Sequence, residues 1–283
     1  MKKWICICVV CLPLWLAAGE SKVELKKDVV YGKSGGEELK LDLAVPEGAG
    51  PFPCIVCIHG GGWARGSKTI YDKTVATLAE KGYVAATVEY RFAPKFQFPC
   101  QIEDCKCAVR YLRKHAAELH IDSAKFGAFG DSAGGHLSLL LGLMNKEDGL
   151  EGDGGNDGES SKVQAVVNYY GPGDFLAPVD FNPYAKALVA LFLGTTDKSA
   201  PIVKQASPAT YIDKSDAPVL TFHGTADPLV PLEMSKRFHE ELRQAGVEEK
   251  LEIVEGKGHG WFGPERAKSD AEAIEFFDAH LKK

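Results

Sequence analysis

Between residues 23 and 281, short extended runs alternate with longer helical stripes, and few folds accept that rhythm. Val23–Tyr31 and Leu39–Val45 read as strands, joined through Gly32, Gly35 and Gly36 as an opening hairpin. Cys54–His59, Tyr83–Tyr90, Lys125–Gly130, Val163–Tyr170, Pro218–His223 and Lys250–Glu255 read as six further strands. Helical periodicity falls between them. It covers Tyr71–Lys81, Ile102–His120, Ala133–Met144, a short piece around Tyr184–Phe192, Leu232–Ala245 and Arg266–Leu281. Consecutive β-α units of this kind pack as one mostly parallel sheet covered by helices on both faces. Eight strands and no internal linker predict a single α/β domain over 20–283.

Three segments stand apart from the rhythm. Lys2 and Lys3, an apolar run from Trp4 to Ala18, and the small residues Ala17-Ala18-Gly19 form a signal-peptide pattern over 1–19. The run is shorter than the roughly 20 residues that cross a bilayer. The expectation is export, periplasmic or secreted, with no membrane span after cleavage; an uncleaved anchor is the rival reading. Cleavage removes two lysines and takes the formal charge from −6 to −8, so no basic footprint for nucleic acid exists. The second segment, residues 145–161, holds five glycines and six acids, with Leu150 its sole large apolar residue. It reads as a solvated, mobile acidic loop. Its faint likeness to a calcium loop fails at Gln164, where the twelfth position from Asp153 needs Glu. The third, Gly171–Tyr211, is long and irregular, and its shape does not follow from its sequence.

Five cysteines remain beyond residue 19. Cys54 and Cys57 are three apart in a strand, so their side chains point to opposite faces and cannot clamp one metal. Cys105 and Cys107 are two apart on a helix and do not face each other. Small buried hydrophobes is the simplest reading of all five. One disulfide among Cys100, Cys105 and Cys107 is the alternative.

Chemistry concentrates at three strand ends. Gly130-Asp131-Ser132-Ala133-Gly134 fits G-x-S-x-G between a predicted strand and a predicted helix. A sharp turn there lifts the Ser132 hydroxyl above the sheet at a helix N-terminus, whose partial positive charge favours a developing anion. His59-Gly60-Gly61-Gly62-Trp63 follows another strand. Its glycines let backbone N–H groups approach a ligand closely. Gly61 and Gly62, with the N–H of Ala133, are the candidate oxyanion donors, each worth about 3 kcal/mol in acyl transfer. His259, in Gly256-Lys257-Gly258-His259-Gly260, follows the last strand, and Asp227 follows the strand before it. The chain order Ser132, Asp227, His259 is that of an α/β-hydrolase triad. Asp174 and Glu255 are the rival acids. His223 and His136 read as neighbours that bond or pack, and His115, His120, His239 and His280 as helix-surface residues. Nothing here calls for a metal or organic cofactor.

With Tyr90-Arg91-Phe92-Ala93-Pro94 added, these motifs resemble the α/β-hydrolase esterases and lipases related to hormone-sensitive lipase, over roughly residues 38–282. Trp63 after the triple glycine, together with the signal pattern, looks most like the exported bacterial branch that includes carbohydrate esterases removing acetyl or feruloyl groups. The resemblance implies an α/β-hydrolase fold and a serine carboxylic-ester hydrolase acting through an acyl-enzyme. Its substrate would be a small-molecule or polysaccharide-linked ester. The short stretch before the first strands implies little or no cap. Arg91 is expected to pair with an acid and fix its loop. Trp63 and Trp261 are candidates either to line a pocket or to pack in the core. A peptidase or small-amide hydrolase with the same triad, a lipase on longer acyl chains and a non-catalytic carbohydrate-binding relative remain as alternatives.

Overall fold

The computed structural model describes residues 23–282; the expected signal peptide lies outside them. Eight strands form one sheet: β1 (Val23–Ser34), β2 (Glu37–Pro46), β3 (Phe52–Ile58), β4 (Val84–Val88), β5 (Ile121–Asp131), β6 (Ala165–Tyr169), β7 (Val219–Gly224) and β8 (Glu249–Val254). Their spatial order is β1-β2-β4-β3-β5-β6-β7-β8. β1 and β2 pair antiparallel, as does β2 with β4; every later pairing is parallel. This is the α/β-hydrolase architecture that the motifs imply.

Among the described residues, six α-helices lie between strands and a seventh follows the last: α1 (Asp72–Glu80), α2 (Cys100–Lys114), α3 (Ala133–Leu143), α4 (Pro183–Leu193), α5 (Pro201–Gln205), α6 (Leu232–Ala245) and α7 (Pro264–Leu281). Side chains alternate across the sheet and so build two cores. Cys54, Val56 and Ile58 of β3 pack with α2, α3 and α6 on one face, whereas Ile55 and Cys57 pack with α1 and α7 on the other. The two cysteines therefore point apart, as strand geometry requires. The five cysteines among the described residues are all free thiols, so no bond joins Cys100, Cys105 and Cys107. No helix among the described residues is long and apolar enough to cross a membrane.

The acidic segment departs most from its expectation. Instead of lying free in solvent, residues 145–161 are tied to α2 and β1. Lys106 and Arg110 of α2 are both buried and share the Glu151 carboxylate, at 3.0 and 2.5 Å. Lys106 also donates to Gly149 O and Arg110 to Gly155 O. From β1, Lys33 N–H donates to Gly154 O, and Ser34 Oγ–H donates to Asp153. Asn156 reaches back to Tyr31 O, and Leu150 packs on the core. Two buried cations demand a counter-charge, and the segment supplies it. Composition showed the acids; their partners lay some 40 residues upstream on a helix stripe that looks solvent-facing in isolation.

Removing Glu151 leaves both cations buried and unpaired. Glu151→Ala is expected to cost about 3 kcal/mol in urea unfolding and to make residues 145–161 the first site of limited proteolysis. Glu147→Ala, on an exposed position of the same segment, should stay within about 0.5 kcal/mol.

Candidate active site

Ser132 sits where β5 turns into α3, with φ 51° and ψ −118°. A non-glycine residue in that region costs of order 1–3 kcal/mol and persists only where its surroundings enforce it. Close packing enforces it here. A Cβ on Gly130 would lie 2.3 Å from Gly134 O, and one on Gly134 would lie 1.9 Å from Ile58 O. The Ser132 N–H is fixed by Tyr169 O at 2.8 Å.

The structure brings Ser132, His259 and Asp227 together. His259 Nε2 lies 2.8 Å from Ser132 Oγ, and Nδ1 lies 2.8 Å from Asp227 Oδ2. An ionised carboxylate only accepts, so Nδ1 carries the proton and Nε2 accepts from the serine hydroxyl. His259 rides on a tight turn closed by the Gly260 N–H to Gly258 O bond. Asp227 is buried, and its other oxygen accepts from the N–H groups of Leu229 and Val230. Burial alone would raise its pKa. Hydrogen bonds from His223 and His259, with the Val230 N–H, outweigh that and hold it well below the usual carboxylate range. Asp174 and Glu255, the rival acids, bond elsewhere: Asp174 accepts from Leu176 N–H, and Glu255 from Thr225.

The glycine loop after β3 runs beside the serine. Gly61, Gly62 and Trp63 are successive positive-φ residues, at 121°, 62° and 56°. A Cβ on Gly61 would lie 1.9 Å from Arg65 O. Among the described residues the N–H groups of Gly61, Gly62 and Ala133 donate to no protein acceptor. Three free donors beside a serine–histidine pair suit a developing oxyanion.

The loop is braced from below. Tyr90 O–H donates to His59 O and stacks on the His59 ring at 4.6 Å, while Ala93 N–H donates to Trp63 O. Arg91 forks onto Asp104 of α2, with Nη2 2.8 Å from Oδ1, both side chains being buried. That is the loop-fixing role expected of Arg91. Trp63 stacks on Phe192 at 4.3 Å, and its Nε1–H donates to His136 Nδ1. His136 Nε2–H in turn donates to Ala206 O. Burial, only partly offset by that bond, pushes His136 down to about 4, so it stays neutral and structural.

A cavity of about 190 Å³ opens over Ser132, walled by Tyr170, Phe181, Leu188 and Val189 and bounded by Trp63 and His259. Trp261 is not part of this wall. It is buried behind the His259 turn, packed on Tyr170 at 5.4 Å with Nε1–H donated to Ser269. His239, expected on a helix surface, is also buried, bonded to Glu249 at 2.6 Å. His223 is fully buried; Nε2 lies 2.8 Å from Val230 O and 3.3 Å from Asp227. Sequence reasoning missed two residues. Asp131 accepts from Gly60 N–H and Tyr71 O–H and so joins the serine turn to the glycine loop. Tyr170 covers the His259 ring at 4.7 Å. The variable position of G-x-S-x-G pointed at the first; nothing pointed at the second. No cluster of three or more His, Cys, Asp or Glu among the described residues is arranged to hold a metal.

Comparison with known proteins converges on one group. The BD-FAE family model matches residues 41–242. Esterase LipC of Mycobacterium tuberculosis is 30% identical over 248 residues, 83% of this chain and 60% of that protein. The probable carboxylic ester hydrolase LipM of the same organism is also 30% identical, covering 77% of this chain and 51% of its own length. The chain thus spans a little over half the length of these curated relatives. A truncated carbohydrate esterase from gut microbiota superposes with TM-score 0.81 at 27% identity, covering 94% of this chain and 99% of that one. The propionate-bound esterase Est2 of Thermogutta terrifontis gives TM-score 0.75 at 29% identity, covering 95% and 97%.

The depressed Asp227 carboxyl carries a pH signature. Its stabilising effect is full well above the unfolded value of about 3.9 and declines progressively as pH falls from there through the lower folded value. Asp227→Asn should therefore unfold at lower urea than the parent at pH 7, and the gap should narrow at pH 3. Labelling of Ser132 by a fluorophosphonate should slow by about 10³–10⁴-fold, through loss of the correct His259 tautomer.

Proposed function

The chain belongs to the BD-FAE family, and from that premise we propose that it is a serine carboxylic-ester hydrolase acting on short acyl esters, including acetyl or feruloyl groups carried on carbohydrate. One observation carries the reading: Ser132 Oγ lies 2.8 Å from His259 Nε2, opposite the His259–Asp227 bond and beside three unengaged backbone N–H groups. In the proposed cycle His259 takes the Ser132 proton as the oxygen attacks the ester carbonyl. Asp227 holds the imidazole and stabilises its charge. The N–H groups of Gly61, Gly62 and Ala133 receive the oxyanion. His259 then protonates the departing alcohol, leaving the acyl group on Ser132. A water molecule, giving its proton to His259, releases the acid and restores the serine.

The size of the cavity supports short acyl groups. A carbohydrate-linked alcohol is supported by the likeness to the gut-microbiota carbohydrate esterase.

The test is an acyl series from acetyl to palmitoyl, run with acetylated xylan, methyl ferulate and a matched aryl amide. Acetyl to butyryl esters should react fastest, with the amide slower by orders of magnitude. Ser132→Ala should lose at least about 10⁴-fold in kcat while staying folded. Full activity in that variant, or a strong preference for palmitoyl esters, contradicts the proposal.

A further inference from the structure

Helix α4 separates two cavities. At about 100° per residue, Ala185 and Leu188 face the cavity over Ser132, while Lys186, Ala190 and Leu193 face a second cavity of about 210 Å³. Val189 falls on the edge between these faces and lines both. Phe181, just before the helix, also lines both. The floor of the second cavity is apolar, with Phe175, Leu193 and Val203 buried there. The partition is one layer of side chains thick, and Phe181 and Val189 are themselves half-buried.

The side of the ester that meets this partition follows from the chemistry. His259 must reach the leaving oxygen to protonate it, so the alcohol departs on the histidine side. The acyl chain then extends from the other side of the carbonyl, where Trp63, Leu188, Phe181 and Val189 of the same cavity offer it apolar walls. An apolar cavity of about 150 Å³ takes a benzene-sized guest. The first cavity therefore holds roughly six acyl carbons at most before the chain meets the partition.

Building on the ester-hydrolase reading above, we propose that the second cavity is an acyl subsite held shut by Phe181 and Val189, and that these two side chains set the upper limit of acyl length. Opening the partition joins the two cavities into one channel ending on Phe175 and Val203. Once the partition is opened by substitution, the occupant is the distal part of a medium-length acyl chain.

The test compares kcat/KM for 4-nitrophenyl acetate, butyrate, octanoate and decanoate in the parent, Val189→Ala, and Val189→Ala with Phe181→Ala. Alanine suits a half-buried helical position, so Val189→Ala keeps the fold even if the double variant does not. The parent should fall at least about tenfold from butyrate to octanoate. Val189→Ala should raise the octanoate-to-acetate ratio by about tenfold, the range expected for a few methylenes in an apolar pocket. Adding Ala190→Phe, which fills the second cavity from its own side, should return that ratio toward the parent value. Three results overturn the proposal: an unchanged ratio in a folded variant that still cleaves acetate, a parent that takes octanoate as well as acetate, or a gain confined to esters lengthened on the alcohol side. A parent that cleaves no ester in the series contradicts the ester-hydrolase reading instead, and is told apart by the absence of acetate turnover.

Discussion

The site rests on a contact that leaves no room for a side chain. Where β5 turns into α3, the α-carbon of Gly134 lies so close to the end of β3 that a Cβ would stand 1.9 Å from Ile58 O. Gly135 is held as tightly against Asn168 of β6, where a Cβ would stand 2.2 Å from Oδ1. These two approaches fix α3 against its neighbouring strands. They hold Ser132 in a backbone conformation that it would leave if the turn could relax. They also set the distance from the serine to the glycine loop, because that loop is the direct continuation of β3. The spacing of nucleophile and oxyanion donors is thus a property of backbone packing, established before any polar side chain is placed.

Polar contacts then lock what packing has brought near. Asp131 bonds the serine turn to Gly60, Tyr90 and Ala93 hold the loop from below, and Arg91 on Asp104 ties that brace to α2. A buried ion pair is weak evidence for stability, since desolvation offsets much of its attraction. Its value here is geometric. A forked guanidinium–carboxylate pair permits one relative orientation, and it anchors the segment on which the oxyanion loop leans. The neutral His136 acts in the same way. His136 Nδ1 accepts a hydrogen bond from Trp63 Nε1–H, and Nε2–H donates one to Ala206 O. A charged ring could not accept the first bond, and the burial that depresses the His136 pKa keeps the ring neutral and able to accept it.

The extent to which the sequence discloses this follows from the range of each interaction. The serine turn and most element ends are set by periodicity and local sterics and fall within a residue or two of expectation, but β1 runs three residues further, β5 begins four earlier and α2 stops six short of His120. α6 begins and ends where its stripe and Gly246 place it. His259 and Asp227 were found because parallel sheets deliver their strand ends to one edge, a long-range fact that topology supplies. Contacts between distant side chains were not readable. Trp261 sits two residues from His259 yet is buried in the core cluster that holds Ala273 and Phe277 of α7. Residues 145–161 looked mobile because their charge was weighed without Lys106 and Arg110. Tyr170 left no pattern at all; its position on His259 depends on a positive φ of 45° at the end of β6.

The catalytic frame and the substrate wall have different origins in the chain. Every group assigned to bond rearrangement stands at the end of β3, β5, β7 or β8, where the sheet fixes it. The wall comes mainly from the crossover between β6 and β7, which carries α4 and α5 and meets the frame at discrete points, among them Phe192 on Trp63, Ala206 O on His136, Arg65 on the Tyr184 hydroxyl and Asn182 on Pro228 O. A helix held at its ends can exchange side chains along its inner face without disturbing the sheet. Changes in α4 should therefore alter what is accepted far more readily than whether Ser132 reacts. A large cap is not required for selectivity in this arrangement, because one helix across the strand ends already divides the space into two.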